Sequence, residues 1–353
     1  MILALFAYWA HHERGRRFAQ QLDQARQAVG TKSGGMLLEQ LAKAYPNHAE
    51  IQFLYARQLR LQGDSDRALA SCERAGQLGF PPAQIAREKL LAIAQKEFSQ
   101  VEPELERLLE TKLDDDEVLL ALALGWSRQQ NFVKAEALVN SLLQRNPDDG
   151  AALWVRGKIR LQNHQPHDAC PDLEKAVGNG SNQYYFPRTR YQLANCYLEL
   201  GHFGRALELF QGAQAEEPEN PRVLFGIGRC FWFLARWDEA GESFRQVLRL
   251  QPDHLDALSQ LAYIHEERGQ PGDLSKALEL LDRAAKLDPT WYNLHFRMAK
   301  MMKALGQDER AAQEFQRAEH VKKAWAKPRA NPFVGRNPYA GDEPGALRKP
   351  VDD

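Results

Sequence analysis

The chain has 353 residues, of which 46 are Lys or Arg and 47 are Asp or Glu, so its formal net charge is −1. A near-neutral chain lacks the basic surface with which proteins hold nucleic acid in general, so charge argues against that class of function. Apolar residues recur at three- and four-residue spacing, and no segment alternates with period two. This pattern predicts an all-α protein.

The chain begins with an apolar and aromatic stretch, residues 2–10, after which charged residues appear abruptly. Nine residues are too few to span a bilayer, which takes about 20, and neither a basic start nor a cleavage site indicates a signal peptide. Two interpretations of residues 1–12 remain open: they pack on the first helices, or they are the distal part of a membrane anchor. We expect a cytoplasmic protein, or one attached to a membrane through this stretch.

A pattern of about 34 residues repeats between residues 187 and 289. Each unit has a small residue, a bulky residue three positions later, a turn, an alanine, a second bulky residue and a closing proline. The closing prolines stand 34 and then 37 residues apart, at Pro218, Pro252 and Pro289. The unit between the first two contains Gly228, Phe231, Ala235, Ala240 and Phe244.

This pattern resembles the tetratricopeptide repeat, whose unit is a pair of helices, A and B. In such a repeat the small residue brings helix A close to helix B, and glycines such as Gly201, Gly269 and Gly306 suit the left-handed position that ends a helix. Weaker units extend upstream; the poorest lies between 83 and 115, where Lys89 stands at the small-residue position.

The resemblance implies an all-α, right-handed α-solenoid of about eight or nine helix pairs. We expect a divergent first pair over residues 13–48 and a repeat array over 49–323. Residues 324–353 are rich in proline and glycine, and this composition predicts a disordered tail.

The four cysteines are Cys72, Cys170, Cys196 and Cys230, and none forms a CxxC pair. Cys196 and Cys230 hold equivalent positions one repeat apart, so they are either a redox pair or two small core residues. Unpaired cysteine behaves as a small buried hydrophobe, which favours the core interpretation and four free thiols.

Residues His164, His167 and Cys170 have a metal-like spacing on a turn, where Asp168 is a candidate helix N-cap. A zinc site needs about four ligands, and no fourth is evident, so we predict no metal. Gly226-Ile227-Gly228 lacks the third glycine and the preceding strand of a dinucleotide site. We predict a non-enzymatic protein without a cofactor.

In the tetratricopeptide-repeat family, helix A of each pair lines the inner, concave surface. Aromatic residues here recur at one inner position and basic or amide residues four positions later, one turn away on the same face. We predict that partner binding involves Trp154, Lys158, Arg188, Tyr191, Asn195, Arg222, Phe225, Arg229 and Trp232. The same pattern continues at Phe53, Arg57, Tyr263, Phe296 and Lys300.

Such a groove suits a peptide or protein with apolar anchors and acidic groups, because aromatic side chains provide contact area and arginine holds carboxylates. The carboxylate clamp of chaperone-binding relatives is incomplete, since Tyr191 and Gly226 stand where it needs basic residues. The sequence therefore predicts a scaffold. The alternatives are a membrane-tethered assembly factor using the same groove and an RNA binder that stacks bases on the aromatics.

Overall fold

The computed structural model describes residues 16–111, 115–179, 186–269 and 271–325. Within these ranges the backbone forms α-helices joined by short connections, without a β-strand, so the predicted all-α class is confirmed. No helix in the described ranges is long and apolar enough to cross a membrane. Residues 1–12 and the tail beyond residue 325 lie outside them, and the expectations about both stay predictions.

The chain divides into two compact units, residues 1–196 and 197–353. In unit 1 the helices are α1 (residues 16–28), α2 (Lys32–Ala44), α3 (Ala49–Gln62), α4 (Ser65–Gln77), α5 (Pro82–Ala94), α6 (Phe98–Thr111), α7 (Asp116–Arg128), α8 (Phe132–Arg145), α9 (Gly150–Gln162), α10 (Pro166–Asn179) and most of α11 (Phe186–Leu200). In unit 2 they are α12 (Phe203–Glu216), α13 (Pro221–Phe233), α14 (Trp237–Leu250), α15 (Leu255–Arg268), α16 (Pro271–Leu287), α17 (Tyr292–Ala304) and α18 (Asp308–Trp325).

Inside each unit the helices pack as consecutive pairs. Helix α3 packs against α4, and α4 against α5; in the other unit, α13 packs against α14, and α14 against α15. The odd-numbered helix is thus helix A of its pair and contacts both the preceding and the following even-numbered helix. This nearest-neighbour packing is that of a repeat solenoid.

The small-residue positions of the repeat are positions of close helix approach. A Cβ atom placed on Gly228 would lie 2.6 Å from the ring of Phe244, and one on Gly157 would lie 2.6 Å from Leu173 Cγ. Ala123 holds the same position and is completely buried. Because a larger side chain would force helices A and B apart, this spacing explains the sequence pattern.

In both units, turns between helices A and B contain a residue in the left-handed, positive-φ backbone conformation. The predicted glycines Gly201, Gly269 and Gly306 have φ values of 86°, 65° and 73°. Gln130 in the α7–α8 turn and Ala235 in the α13–α14 turn adopt the same sign of φ, at 64° and 58°. These two side chains therefore occupy a conformation that glycine adopts at lower cost.

Two predicted positions in unit 1 are wrong. Lys89 does not take the small-residue position of α5, because the buried side chain there is the preceding Glu88, and Lys89 Nζ lies 3.6 Å from Glu73 Oε1. Asp168 is not the N-cap of α10, because that helix begins two residues earlier, at Pro166, and Asp168 lies in its first turn. A helix that starts on a proline matches its preference for the first turn.

Candidate interaction faces

Unit 1 carries a network of six charged side chains on three consecutive A helices. We call it the ionic network; it consists of Arg57 and Arg60 on α3, Arg87 and Glu88 on α5, and Asp115 and Glu117 at the start of α7. Arg60 donates from Nε to Glu88, and Arg87 forks onto Asp115 with contacts of 2.7 and 2.6 Å. Three positive and three negative charges balance within it.

Burial makes this network electrostatically strong. Glu88 is 0% exposed and Arg60 is 6% exposed. Burial on its own would raise the pKa of Glu117, but the guanidinium groups of Arg60, Arg57 and Arg87 outweigh it and hold that pKa at about 2. Paired charges in a poorly solvated site interact strongly, so the network locks α3, α5 and α7 to one another.

The network changes the interpretation of two predicted groove positions. Arg57 Nη2 donates to Glu117 Oε1 at 3.0 Å. Phe53 is buried and stacks on Phe80, with ring centroids 4.3 Å apart. The expectation that these two side chains point into an open groove is therefore wrong, because both are committed to contacts inside unit 1.

The other candidate residues of unit 1 lie on α9 and α11. Lys158 Nζ is 5.4 Å from the centroid of the Trp154 ring, one helical turn away. Asn195 Nδ2 donates to the backbone oxygen of Tyr191 at 2.9 Å. These four side chains are part-exposed, whereas the side chain of Arg188 lies outside the described part of the chain.

In unit 2 the A helices α13 and α15 meet through aromatic side chains. Phe225, Arg229 and Trp232 follow the four- and three-residue steps that place them on one face of α13. Trp232 meets Tyr263 of α15 edge to face at a centroid distance of 5.7 Å, and it contacts Trp237 in the same geometry at 5.8 Å. Edge-to-face contacts of this kind are favourable beyond the area that they bury.

Arg297 of α17 fixes the position of Tyr263. Its Nε donates to Glu266 at 3.0 Å, its Nη1 donates to Ser259 Oγ at 3.1 Å, and its guanidinium carbon lies 5.7 Å from the centroid of the Tyr263 ring. Two effects raise the pKa of Tyr263 to about 12: burial is the larger, and a hydrogen bond to Glu267 is the second. The phenol therefore stays protonated at neutral pH, and its ring is held between α13 and α17.

The face continues onto α17 with more exposed groups. Phe296 is 46% exposed, although its ring also meets Phe315 edge to face. Lys300 and Arg222 are exposed, and neither pairs with a carboxylate among the residues that the structure describes. We call Phe225, Trp232, Tyr263 and Phe296 the aromatic face of unit 2. It is bordered by these basic groups.

The cysteines pair differently from the expectation. Cys170 of α10 and Cys196 of α11 form a disulfide, so the predicted four free thiols are wrong, and Cys196 does not pair with Cys230. Cys72 and Cys230 are buried and free, and burial raises the pKa of each to about 12. The Cys170 sulfur is thus bonded and is no partner for His164 and His167 in a metal site.

Family models described as tetratricopeptide repeat match residues 37–79, 198–242 and 231–291. Together with the pairwise helix packing, these matches confirm the resemblance found in the sequence. The chain contains tetratricopeptide repeats. Repeats of this family serve in general as protein- and peptide-binding modules, and this chain is built from them as an all-α repeat solenoid.

Curated relatives are longer than this chain. Anaphase-promoting complex subunit 7 of Arabidopsis thaliana is 23% identical over 287 residues, which cover 81% of this chain and 50% of that protein. The CTR9 homolog of the same plant is 32% identical over 213 residues, covering 49% of this chain and 19% of that protein. This chain therefore spans about half the length of these relatives or less.

Solved structures show the same fold at low identity. In the APC/C hetero-tetramer Cut9–Hcn1, the match has a TM-score of 0.65 at 13% identity and covers 82% of this chain and 56% of that chain. A monomeric IFIT1 mutant with Gppp-AAAA matches with a TM-score of 0.54 at 15% identity, over 86% of this chain and 87% of that chain. At such identities the likeness concerns the fold alone.

Proposed function

We propose that the aromatic face of unit 2 binds a peptide or protein segment that carries apolar anchors and acidic groups. The observation that carries this proposal is the aromatic side chains on three successive A helices: Trp232 of α13 meets Tyr263 of α15 edge to face, and Phe296 of α17 is half-exposed. Large rigid aromatic side chains bury much area at small entropic cost, and they dominate the energetics of many interfaces.

The charge around the aromatic face favours an acidic partner. Arg222 and Lys300 border the face without an ion pair in the described part of the chain, while Glu266 is neutralised by Arg297. An arginine fork and a lysine beside apolar rings suit carboxylates that flank apolar anchors. Opposite charges also speed the encounter of the two partners.

The full nine-residue site stays a proposal. Trp154, Lys158, Tyr191 and Asn195 offer unit 1 a second region of the same chemistry, an indole with an ammonium beside it and a phenol with an amide beside it. Use of the same groove by a membrane-tethered assembly factor depends on residues 1–12, and it stays a prediction as well.

A displayed library of random 12-residue peptides, selected on the full chain, tests the proposed partner chemistry. We expect enriched peptides to combine aromatic or aliphatic residues with Asp or Glu. The affinity of one enriched peptide is then measured by fluorescence anisotropy for wild type, Phe296→Ala and Trp232→Ala. Removing a hot-spot ring costs about 2 kcal/mol, so each change should weaken binding about 30-fold.

The matched control is Val133→Ala, because this α8 side chain is 86% exposed and lies outside the face. Circular dichroism establishes that each variant is folded, and Phe296→Ala carries the result if Trp232→Ala proves unstable. Basic peptides, or equal affinity for wild type and Phe296→Ala, contradict the proposal. Loss of binding in Trp154→Ala or Tyr191→Ala alone places the site in unit 1, and salt-sensitive binding of an RNA oligonucleotide supports the RNA alternative.

A further inference from the structure

The disulfide lies at a distinct place in the repeat array. Cys170 belongs to α10, the second helix of one pair, and Cys196 belongs to α11, the first helix of the next pair. The two residues are 26 positions apart in sequence, and their Cα atoms are 5.9 Å apart. Within the described ranges, no other disulfide ties one helix pair to the next.

The local backbone suits both the bonded and the reduced state. A Cα separation of 5.9 Å falls inside the range of about 4.4–6.8 Å that disulfides need. Cys196 Sγ also lies 3.0 Å from the backbone oxygen of Pro166. This oxygen can accept a hydrogen bond from the thiol of a reduced Cys196. Neither state therefore requires the two helices to move apart.

We propose that Cys170–Cys196 is a reversible thiol–disulfide switch that fixes α11, with Tyr191 and Asn195, against α10. The co-reactant is a small-molecule thiol and its disulfide, such as glutathione. This inference goes beyond the proposed binding function and does not depend on it, although α11 carries two of the candidate binding residues.

Exchange begins at Cys170, which is 6% exposed, whereas Cys196 is 0% exposed. A thiolate attacks Cys170 Sγ, a mixed disulfide forms there, and Cys196 leaves as a thiolate that takes up a proton. A second thiol attacks the small molecule's sulfur in the mixed disulfide. It releases Cys170 as a thiol and yields the small-molecule disulfide, so two electrons pass to the protein. Oxidation runs through the same steps in reverse.

The other two cysteines do not take part. Cys72 and Cys230 are completely buried, and burial raises their pKa to about 12, which leaves them almost entirely as thiols at neutral pH. Because the thiolate is the reactive form, they should neither exchange nor form the link. Because these two thiols stay free in both states, the oxidised chain should have two thiols and the reduced chain four.

The first test is a redox titration of the full chain. The protein is equilibrated in buffers with different ratios of reduced to oxidised glutathione, then denatured in N-ethylmaleimide and weighed by mass spectrometry. We expect two maleimides at the oxidising end, four at the reducing end and one reversible transition between them. Peptide mapping should find residues 170 and 196 joined.

The second test measures the effect on α11. Hydrogen exchange of peptides within residues 189–200 should be about tenfold faster in the reduced chain, because the cross-link restricts local opening, while peptides from α3 and α13 should not change. Cys170→Ala should give the fast exchange in both buffers, and Cys72→Ala should behave like wild type. The redox titration uses only the wild-type chain, so it tests the proposal even if a variant does not fold.

Three results would overturn the proposal. Four maleimides at every glutathione ratio mean that the link does not form. Two maleimides that persist in reducing buffer until the protein is denatured mean that it is a fixed structural bond. Equal exchange of α11 in the oxidised and reduced chains means that the link does not control this helix.

Discussion

The A helices of the two units use equivalent repeat positions in opposite ways. In unit 1, Arg57 and Arg60 turn to the carboxylates of the next two A helices, and the ionic network covers the face. In unit 2, the rings of Trp232 and Tyr263 meet edge to face, and Phe296 of α17 is half-exposed. One repeat scaffold thus supports a face of charged side chains that pair with one another and a face of aromatic side chains that ends in a half-exposed ring.

This difference separates stability from binding. A buried charge is costly when its partner is removed, so residues of the ionic network should matter for folding of unit 1. Half-exposed rings contribute less to folding and are available to a partner. We therefore expect substitutions in the ionic network to change stability and substitutions such as Phe296→Ala to change binding.

The largest effect is expected for Glu88→Ala. Removing this carboxylate leaves Arg60 buried with half of its partners, and breaking a buried pair in this way costs about 3–5 kcal/mol. Hydrogen exchange resolved by peptide should show faster exchange in α3, α5 and α7. Exchange in α13, α15 and α17 should be unaffected.

Two further variants separate the missing charge from the missing volume. Arg60→Met with Glu88→Leu removes both charges and keeps the volume, so it should recover most of the lost stability. Lys96→Ala breaks an exposed pair with Asp66 and should have no measurable effect. A double variant as unstable as Glu88→Ala would show that packing, not charge, holds the three helices.

The repeat register could be predicted from the sequence, whereas the network and the disulfide could not. A small residue such as Gly228 indicates that helices A and B of one pair lie close together. This contact is between residues near in sequence, so local spacing is enough to predict it. Glu88 meets Arg60 across 28 residues, and an isolated charge in a sequence looks like a solvated one. Cys170 lies beside Cys196 because helix B packs on the next helix A, so equivalent positions one repeat apart were the wrong ones to pair.

Acid should weaken unit 1 through Glu117. Its folded pKa of about 2 lies below the ordinary 4.5, so it stabilises the folded state fully above pH 4.5, and this contribution disappears as the pH falls from about 4.5 towards 2. Allowing for its partial exposure, we expect a loss of about 2 kcal/mol. Guanidinium unfolding between pH 7 and pH 2 should show a smaller acid loss for Glu117→Gln than for wild type, and an equal loss would show that other groups titrate instead.

The smallest effects are expected at the turns, where the two units should not differ. Gln130 in unit 1 and Ala235 in unit 2 hold φ values of 64° and 58°, so Gln130→Gly and Ala235→Gly should each stabilise the protein by about 0.5–1 kcal/mol. Gly306→Ala, at φ 73°, should destabilise it by a similar amount. Thermal unfolding with unit-resolved hydrogen exchange measures all three. Equal gains in stability would show that the turns of the two units are equivalent and that the units differ in the side chains on their A-helix faces. A gain in stability confined to one unit would mean that the side chains on the A-helix face affect the backbone strain at the turns of that unit.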